Sequence, residues 1–416
     1  MHAIWLRMLL LALTAALTFE TPAPEKTPER TPRQEERMLQ RMEQTEDIRE
    51  CIRLGAELEL ELIDLRRFER MPEEMDELYQ QLLGTRDLPW YMDLSWSYKI
   101  AGDETVSYLE PGYLDPAEYS RSRYEAAVEK ALAEAVKPGM SEVQAALSLH
   151  DYLASHCAYD ESLERGTEYD VLVHGSAVCQ GYAEAYMDLL GRVGIECIVV
   201  TSEEMNHAWN QVKLDGQWYH VDVTWDDPSP DRAGMASHGR FLISDGTMAT
   251  GDYGYYGWES PHTCSDQSYE TGQFWSDSIS PVIYEDADTC YLIRIGDGEY
   301  EILRRDADVE TLLTRVDFKY PEAFAVGGRY IHFYTAGLSL EDGFLYYTDV
   351  NGVRRLDPAS REVTVVYKHD VSQTRQVLVG SFLDGGTLQL TTMDRDEVFH
   401  SPHVPFSPER RTMRTA

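Results

Sequence analysis

A cysteine, a histidine and an aspartate stand where a thiol nucleophile needs them. Cys179 opens Val178-Cys179-Gln180-Gly181-Tyr182-Ala183, His207 leads His207-Ala208-Trp209-Asn210, and Asp222 lies within His220-Val221-Asp222-Val223-Thr224-Trp225. Such a set attacks acyl groups: the thiolate adds to a carbonyl, the imidazole moves the proton, and the carboxylate orients the imidazole. Taken singly, each residue has a bland reading. Most free cysteines are inert packing groups, and a lone His or Asp on a strand is usually solvated. All three on the elements the mechanism requires is a far rarer coincidence.

Those elements can be read from periodicity. Between Cys179 and Val193 the apolar positions Tyr182, Ala183, Tyr186, Met187, Leu189, Leu190 and Val193 cover one helical face. Gly194 follows where a left-handed cap is wanted, and Ile195–Val200 reads as a strand. Cys179 therefore belongs to the first helical turn. Unpaired N–H groups and the positive dipole end there favour a thiolate and can hold an oxyanion. Cys197, inside an apolar strand, suits inert packing better.

Asp215-Gly216 is a two-residue hairpin signal between Trp209–Leu214 and Gln217–Trp225. Closing the turn there pairs Leu214 with Gln217, Trp209 with Asp222 and His207 with Thr224. One face then carries His207, Trp209, Gln211, Lys213, Trp218, His220, Asp222 and Thr224. The other, from Ala208 to Trp225, is the expected core. His207 and Asp222 become diagonal neighbours, roughly 7–8 Å apart at the backbone. A one-residue slip would send them to opposite faces. Trp209 and Trp218 share the site face and are candidate substrate-binding walls of an acyl pocket, against the plainer reading of ordinary packing.

Residues 140–228 resemble the transglutaminase-like superfamily, circularly permuted relatives of papain-type cysteine peptidases, and in particular its bacterial extracytoplasmic branch. The resemblance rests on Leu149-His150-Asp151-Tyr152-Leu153, Val178–Ala183, His207–Asn210 and Trp218–Trp225, and continues in Phe241-Leu242-Ile243-Ser244-Asp245. It implies Cys179 as nucleophile, His207 as general base and acid, and Asp222 as the residue that orients the imidazole. It also implies a cysteine helix packed on a small antiparallel sheet, and acyl transfer through a thioester. Water as acceptor makes a peptidase or amidase; a lysine amine makes a transglutaminase.

Composition bounds the rest. The chain has 416 residues, enough for two or three domains, and its 37 basic and 73 acidic residues give a net charge of −36. That argues against nucleic acid and anionic lipid surfaces and favours cationic partners. Arg7 before the apolar run Met8–Phe19 reads as an export signal, too short to span a bilayer comfortably, with Ala16-Leu17-Thr18 the best cleavage candidate. The Thr-Pro-rich stretch that follows reads as an extended spacer. Setting Cys179 aside leaves Cys51, Cys157, Cys197, Cys264 and Cys290, an odd and scattered remainder that is no disulfide framework. His150, His156, Cys157 and His174 lie close in sequence but lack metal-ligand spacing, and no calcium loop is visible. No metal or cofactor is expected.

Upstream, residues 37–84 read as charged-faced helices and Leu94–Ile100 with Thr105–Leu109 as a hairpin. Asp115-Pro116-Ala117-Glu118 is expected to open a helix whose buried stripe includes Tyr124, Val128 and Ala131. Ser141 and Gln144 start another, running to about Ser155. Downstream of about residue 282 short strands follow: Tyr291–Ile295, Glu299–Arg304, Tyr330–Thr335, Phe344–Val350, Val353–Leu356, Glu362–Tyr367 and Gln376–Phe382, with Asn351-Gly352 as a hairpin turn. The run around Leu345–Asp349 and Val366-Tyr367 resembles one propeller-type repeat. At about 40–45 residues per blade, too little chain remains for a closed propeller.

The expected fold is α+β: a papain-like, transglutaminase-like core, an N-terminal helical region and a C-terminal all-β domain. The expected divisions are 1–19 signal or anchor, 20–36 linker, 37–114 helical region, 115–281 catalytic domain and 282–416 β-rich accessory domain. The expected function is a secreted or cell-surface cysteine enzyme acting on amide bonds of proteins or peptides, cell-envelope peptides among them. Hydrolysis is favoured over cross-linking, because it needs only water. No nucleic-acid partner is expected, and membrane contact only through an uncleaved N-terminal segment. The reading from a different class is a non-catalytic cell-envelope binding protein on an inherited scaffold.

Overall fold

The structure, a computed structural model, describes residues 31–406 apart from 86–87, 90, 251–253, 297–298, 318–335, 395 and 397. The expected leader and the expected strand at 330–335 lie outside the described residues. Residues 20–30 of the expected linker also lie outside the described residues, and its last residues are helical. Helix α1 (Pro32–Gln44) starts within it, because Thr31-Pro32 supplies both an N-cap and a first-turn proline. Gln34 completes the capping box by accepting the Thr31 N–H at 2.8 Å.

The N-terminal region continues with α2 (Ile48–Glu57), β1 (Ile63–Asp64), α3 (Pro72–Thr85) and a hairpin of β2 (Met92–Ile100) and β3 (Val106–Tyr113). The three strands form one sheet in the order β1-β3-β2. Ile52, Leu54, Ile63, Leu65, Leu82 and Leu109 belong to a hydrophobic core of its own.

Next come α4 (Arg121–Ala135), α5 (Glu142–His156), β4 (Ala158–Tyr159), β5 (Ser176–Ala177) and α6 (Cys179–Arg192). The capping box of α5 is as read, with Ser141 Oγ accepting from the Gln144 N–H and Gln144 Oε1 from the Ser141 N–H. The start of α4 is not. Asp115 and Pro116 close a single turn, in which Asp115 Oδ1 accepts from the Ala117 N–H at 2.9 Å. The helix waits for Ser120 as N-cap. Between turn and helix, Tyr119 packs on Tyr169 at 5.1 Å and the Ser120 N–H donates to the Tyr169 hydroxyl, so tertiary contacts interrupt the run.

An antiparallel sheet in sequence order follows: β6 (Glu196–Ser202), β7 (His207–Leu214), β8 (Gln217–Val221) and, after the one-turn α7 (Val223–Asp226), β9 (Phe241–Ile243), with α8 (Asp245–Met248) beyond it. Helix α6 packs on this sheet, and Asn210 of β7 donates its amide to the Ala183 carbonyl of α6 at 2.9 Å. The first turn of α6 is held closely from the other side. A Cβ on Gly181 would stand 2.8 Å from the Thr167 carbonyl oxygen and 2.9 Å from the Ala177 Cβ, so only glycine fits.

Three four-stranded antiparallel sheets complete the described chain. The first is β10 (Ile283–Tyr284), β11 (Thr289–Ile295), β12 (Glu299–Asp306) and β13 (Val309–Asp317). The second is β14 (Leu338–Glu341), β15 (Phe344–Asp349), β16 (Gly352–Leu356) and β17 (Val363–Lys368). After the one-turn α9 (Val371–Thr374), the third has β18 (Val377–Asp384), β19 (Thr387–Met393), β20 (Phe399–His400) and β21 (His403–Pro405). The central core runs on into the first of them. Val282, Tyr284, Cys290, Leu292 and Leu303 belong to the same cluster as Tyr182, Tyr186 and Leu189 of α6.

Candidate active site

Cys179 is the first residue of α6, and Val178 before it is the extended N-cap. The first-turn N–H groups have no partner within the helix, so negative charge at the sulfur or on an adjacent oxygen is favoured there. Two further contacts hold this end in place. The Val178 N–H donates to the Arg165 carbonyl at 2.9 Å, and Tyr159 pairs with Ala177 across β4 and β5.

The hairpin carrying the other two residues has the register that Asp215-Gly216 dictates. Leu214 faces Gln217, and Asn210 faces Val221. Asp215 and Gly216 have φ of 50° and 82°, the left-handed pair this turn requires. The second strand, however, is shorter than Gln217–Trp225. It stops at Val221, because Asp222 turns its carboxylate back as an N-cap and Oδ1 accepts from the Trp225 N–H at 3.2 Å. Thr224 therefore never pairs with His207. The same bend leaves Asp222 Oδ2 free to accept from His207 Nε2 at 2.6 Å.

With Nε2 committed to Asp222, Nδ1 is the nitrogen left for the thiol. Burial raises the Cys179 pKa. The hydrogen bond and charge of His207 and the Ala208 N–H together outweigh it, and the net shift is downward. Burial likewise disfavours the charged form of His207, but the Asp222 charge and hydrogen bond and then Cys179 prevail, and its pKa rises to about 9. The two shifts have opposite signs, which is the signature of a thiolate–imidazolium pair.

The expectation that only one face of the hairpin is core does not hold. Trp209 is 1% exposed, and Gln211 and His220 on the same face are fully buried. Residues 255–262 cover that face: Trp258 packs on Trp209, and Ser260 bonds to Gln211. Trp209 is thus a buried platform, its ring 5.7 Å from His207 and its indole N–H donating to His220 Nδ1 at 2.9 Å. Trp218 lies at the turn end, stacked on His262 at 3.8 Å. It pairs with Lys213, six residues along β7 from His207 and therefore roughly 20 Å away.

Three groups beside the pair were not singled out from sequence. The Tyr255 hydroxyl donates to Asp222 Oδ2, the oxygen that also holds His207. Trp225, 39% exposed, has its ring 5.3 Å from His207 and is the exposed aromatic of the site. The Arg240 guanidinium lies over both rings, 5.8 Å from Trp225 and 5.6 Å from Tyr255. The only available signal was Trp225 inside a motif already noted; the others come from distant loops.

Beneath α7 lies a buried ionic network. His150 reaches Asp151 at 2.8 Å and Asp226 at 3.2 Å, and His238 reaches Asp151 at 3.0 Å. Asp226 also accepts from Ser237 and the Arg240 N–H, so the network ties α5, α7 and the segment before β9 together. Burial opposes charge on His150, yet its hydrogen bonds to the Asp151 and Asp226 carboxylates raise its pKa to about 9.

Part of the chain is similar to known proteins. Residues 130–223 match the model of the transglutaminase-like superfamily core. The mouse kyphoscoliosis peptidase is 26% identical over 105 residues, covering 20% of this chain and 16% of that protein. The human kyphoscoliosis peptidase is 33% identical over 70 residues, covering 14% of this chain and 11% of that protein. The chain therefore spans less than a fifth of the length of these two curated relatives. A crystal structure described as a TGase aligns at 17% identity with a TM-score of 0.22, covering 39% of this chain and 50% of that one. Residues 130–223 are thus similar to the transglutaminase-like superfamily core, and Cys179, His207 and Asp222 all fall within that segment.

Proposed function

We propose that this protein is a secreted or cell-surface cysteine enzyme that cleaves amide bonds of peptides or proteins through a thioester. The observation that carries the reading is the arrangement of one histidine between two partners. Cys179 at a helix N-terminus lowers its pKa against His207, while Asp222 accepts from the opposite ring nitrogen at 2.6 Å. In this reading the Cys179 thiolate adds to the amide carbonyl, and the first-turn N–H groups of α6 stabilise the oxyanion. His207 gives its proton to the departing amine, leaving a thioester. Water, giving a proton to the now neutral His207, then adds to the thioester, and loss of the acid restores the thiolate–imidazolium pair. Asp222, itself steadied by Tyr255, keeps the ring oriented and its charge stable.

Hydrolysis is the favoured outcome because water suffices as acceptor. Location outside the cell is supported by Arg7 and the apolar run Met8–Phe19. The test is turnover of a peptide library with a labelled primary amine present. Free acid products without amine incorporation support the hydrolase; incorporation moves the assignment to transamidation. No turnover, with Cys179 sluggish toward alkylators, leaves the non-catalytic binding protein.

A further inference from the structure

Where α4, the end of α5, β14 and β18 meet, a cavity of about 380 Å³ is lined by Glu134, Tyr152, His156, Glu341, Phe382 and Asp384, among others. His156 is the last residue of α5, and its Nδ1 lies 2.8 Å from the Tyr152 carbonyl oxygen. A carbonyl only accepts, so Nδ1 carries the proton and Nε2 presents a lone pair. The ring cannot easily turn. Tyr152 stacks on it at 3.9 Å and Phe382 meets it edge-on at 4.9 Å. Nε2 stands 3.9 Å from Glu134 Oε2, and one nitrogen and two carboxylate oxygens, from His156, Glu134 and Asp384, lie within 4.8 Å of one another.

Three electron-pair donors thus converge at the edge of a cavity. One is a histidine in the tautomer that metal ligands adopt, its other nitrogen tied to a backbone carbonyl. Lys130 provides the nearby positive charge, with Nζ 2.9 Å from both Asp384 oxygens and 3.9 Å from Glu134. A second cluster, His220 with Asp245 and Cys264, fails the same requirement. The Trp209 N–H occupies His220 Nδ1, so the proton of the neutral ring must sit on the Nε2 that faces Asp245.

We propose that Glu134, His156 and Asp384 bind a divalent transition-metal ion of the zinc class, with Lys130 the resident cation that the ion displaces. An imidazole nitrogen with two carboxylates suits zinc and its neighbours, whereas calcium and magnesium favour all-oxygen sets. The cavity leaves room for water to complete the coordination sphere. The ion would clamp α4 and α5 to β18. His156 also leads directly into β4, whose partner β5 precedes Cys179, so the clamp stiffens the segment before the nucleophile.

The site is tested by calorimetric titration of zinc into the full chain carrying Cys179→Ala, which removes the competing active-site thiol. One zinc per chain is expected. His156→Ala and the milder, surface-exposed Glu134→Gln should each weaken binding by about tenfold or more. Lys130→Ala should tighten it, because the displaced cation is gone, and zinc should raise Tm in the parent but not in the His156→Ala chain. Absence of saturable uptake overturns the proposal. So does uptake indifferent to both ligand substitutions, or weakened by Lys130→Ala.

Discussion

Cys179 and His207 each contribute to the other's pKa shift, and the directions of those shifts define a pH window for the reactive ion pair. The thiol lies below its ordinary value and the imidazole is raised to about 9, so the pair persists from the depressed thiol pKa up to about pH 9. The pH profile of kcat/KM should therefore fall on the alkaline side near pH 9. Asp222→Asn removes the charge that raises His207. The alkaline limb should move to lower pH and turnover should drop roughly a hundredfold or more with KM little changed, as read from pH–rate profiles. Tyr255→Phe deletes one donor to Asp222 and keeps the ring, so about a tenfold loss is expected in the same assay. An unchanged profile for Asp222→Asn would remove Asp222 from the mechanism. The approach of His207 to Asp222 was legible because both sit in recognisable motifs flanking one hairpin, although Asp222 falls just past the strand on which it was expected. Tyr255 and Arg240 were not, since their neighbours come from loops far apart in the chain.

Element geometry is set by close approaches that spacing alone reveals only in part. The hairpin register was readable because Asp215-Gly216 admits a single turn type. The end of β8 was not, because an aspartate that caps a helical turn and one that continues a strand look alike in sequence. Gly181→Ala should push the start of α6 off the Thr167 carbonyl, costing about 1–3 kcal/mol in urea denaturation and slowing Cys179 alkylation. Full wild-type stability in that variant would mean the Thr167 loop yields freely. The network under α7 gives a pH signature. His150 has a folded pKa of about 9, above its ordinary 6.5. Its stabilisation is therefore fully present below about pH 6.5 and lost as pH rises through about 9. His150→Gln should cost about 3–5 kcal/mol at pH 6 by removing the buried positive charge between Asp151 and Asp226, and noticeably less at pH 9.5. A pH-independent difference would show that His150 is neutral in the fold.

At the scale of the whole chain, the apolar clusters divide the molecule differently from the sequence texture. The texture changes near residue 282, where helices give way to short alternating strands. Yet the core beneath α6 extends through Val282, Tyr284, Leu292 and Leu303 into the first C-terminal sheet. A composition shift marks a change of secondary structure, and only contacts reveal a shared core. Chain terminated after residue 281 should therefore lose cooperative thermal unfolding, whereas the separate N-terminal cluster predicts a distinct transition for that region in calorimetry. Retention of a sharp, wild-type-like melt by the truncated chain would contradict a continuous core. The net charge of −36 adds a long-range preference: cationic peptides should be captured better than acidic ones, with the advantage shrinking as salt rises.

The most direct measurement is intact-mass analysis during alkylation with a small haloacetamide, comparing wild type with His207→Ala from pH 5 to 9. An activated pair gives one fast modification, mapped to Cys179, already rapid at neutral pH in the wild type and displaced to higher pH in the variant. Slow labelling that His207→Ala leaves unchanged would show that Cys179 and His207 do not form a thiolate–imidazolium pair.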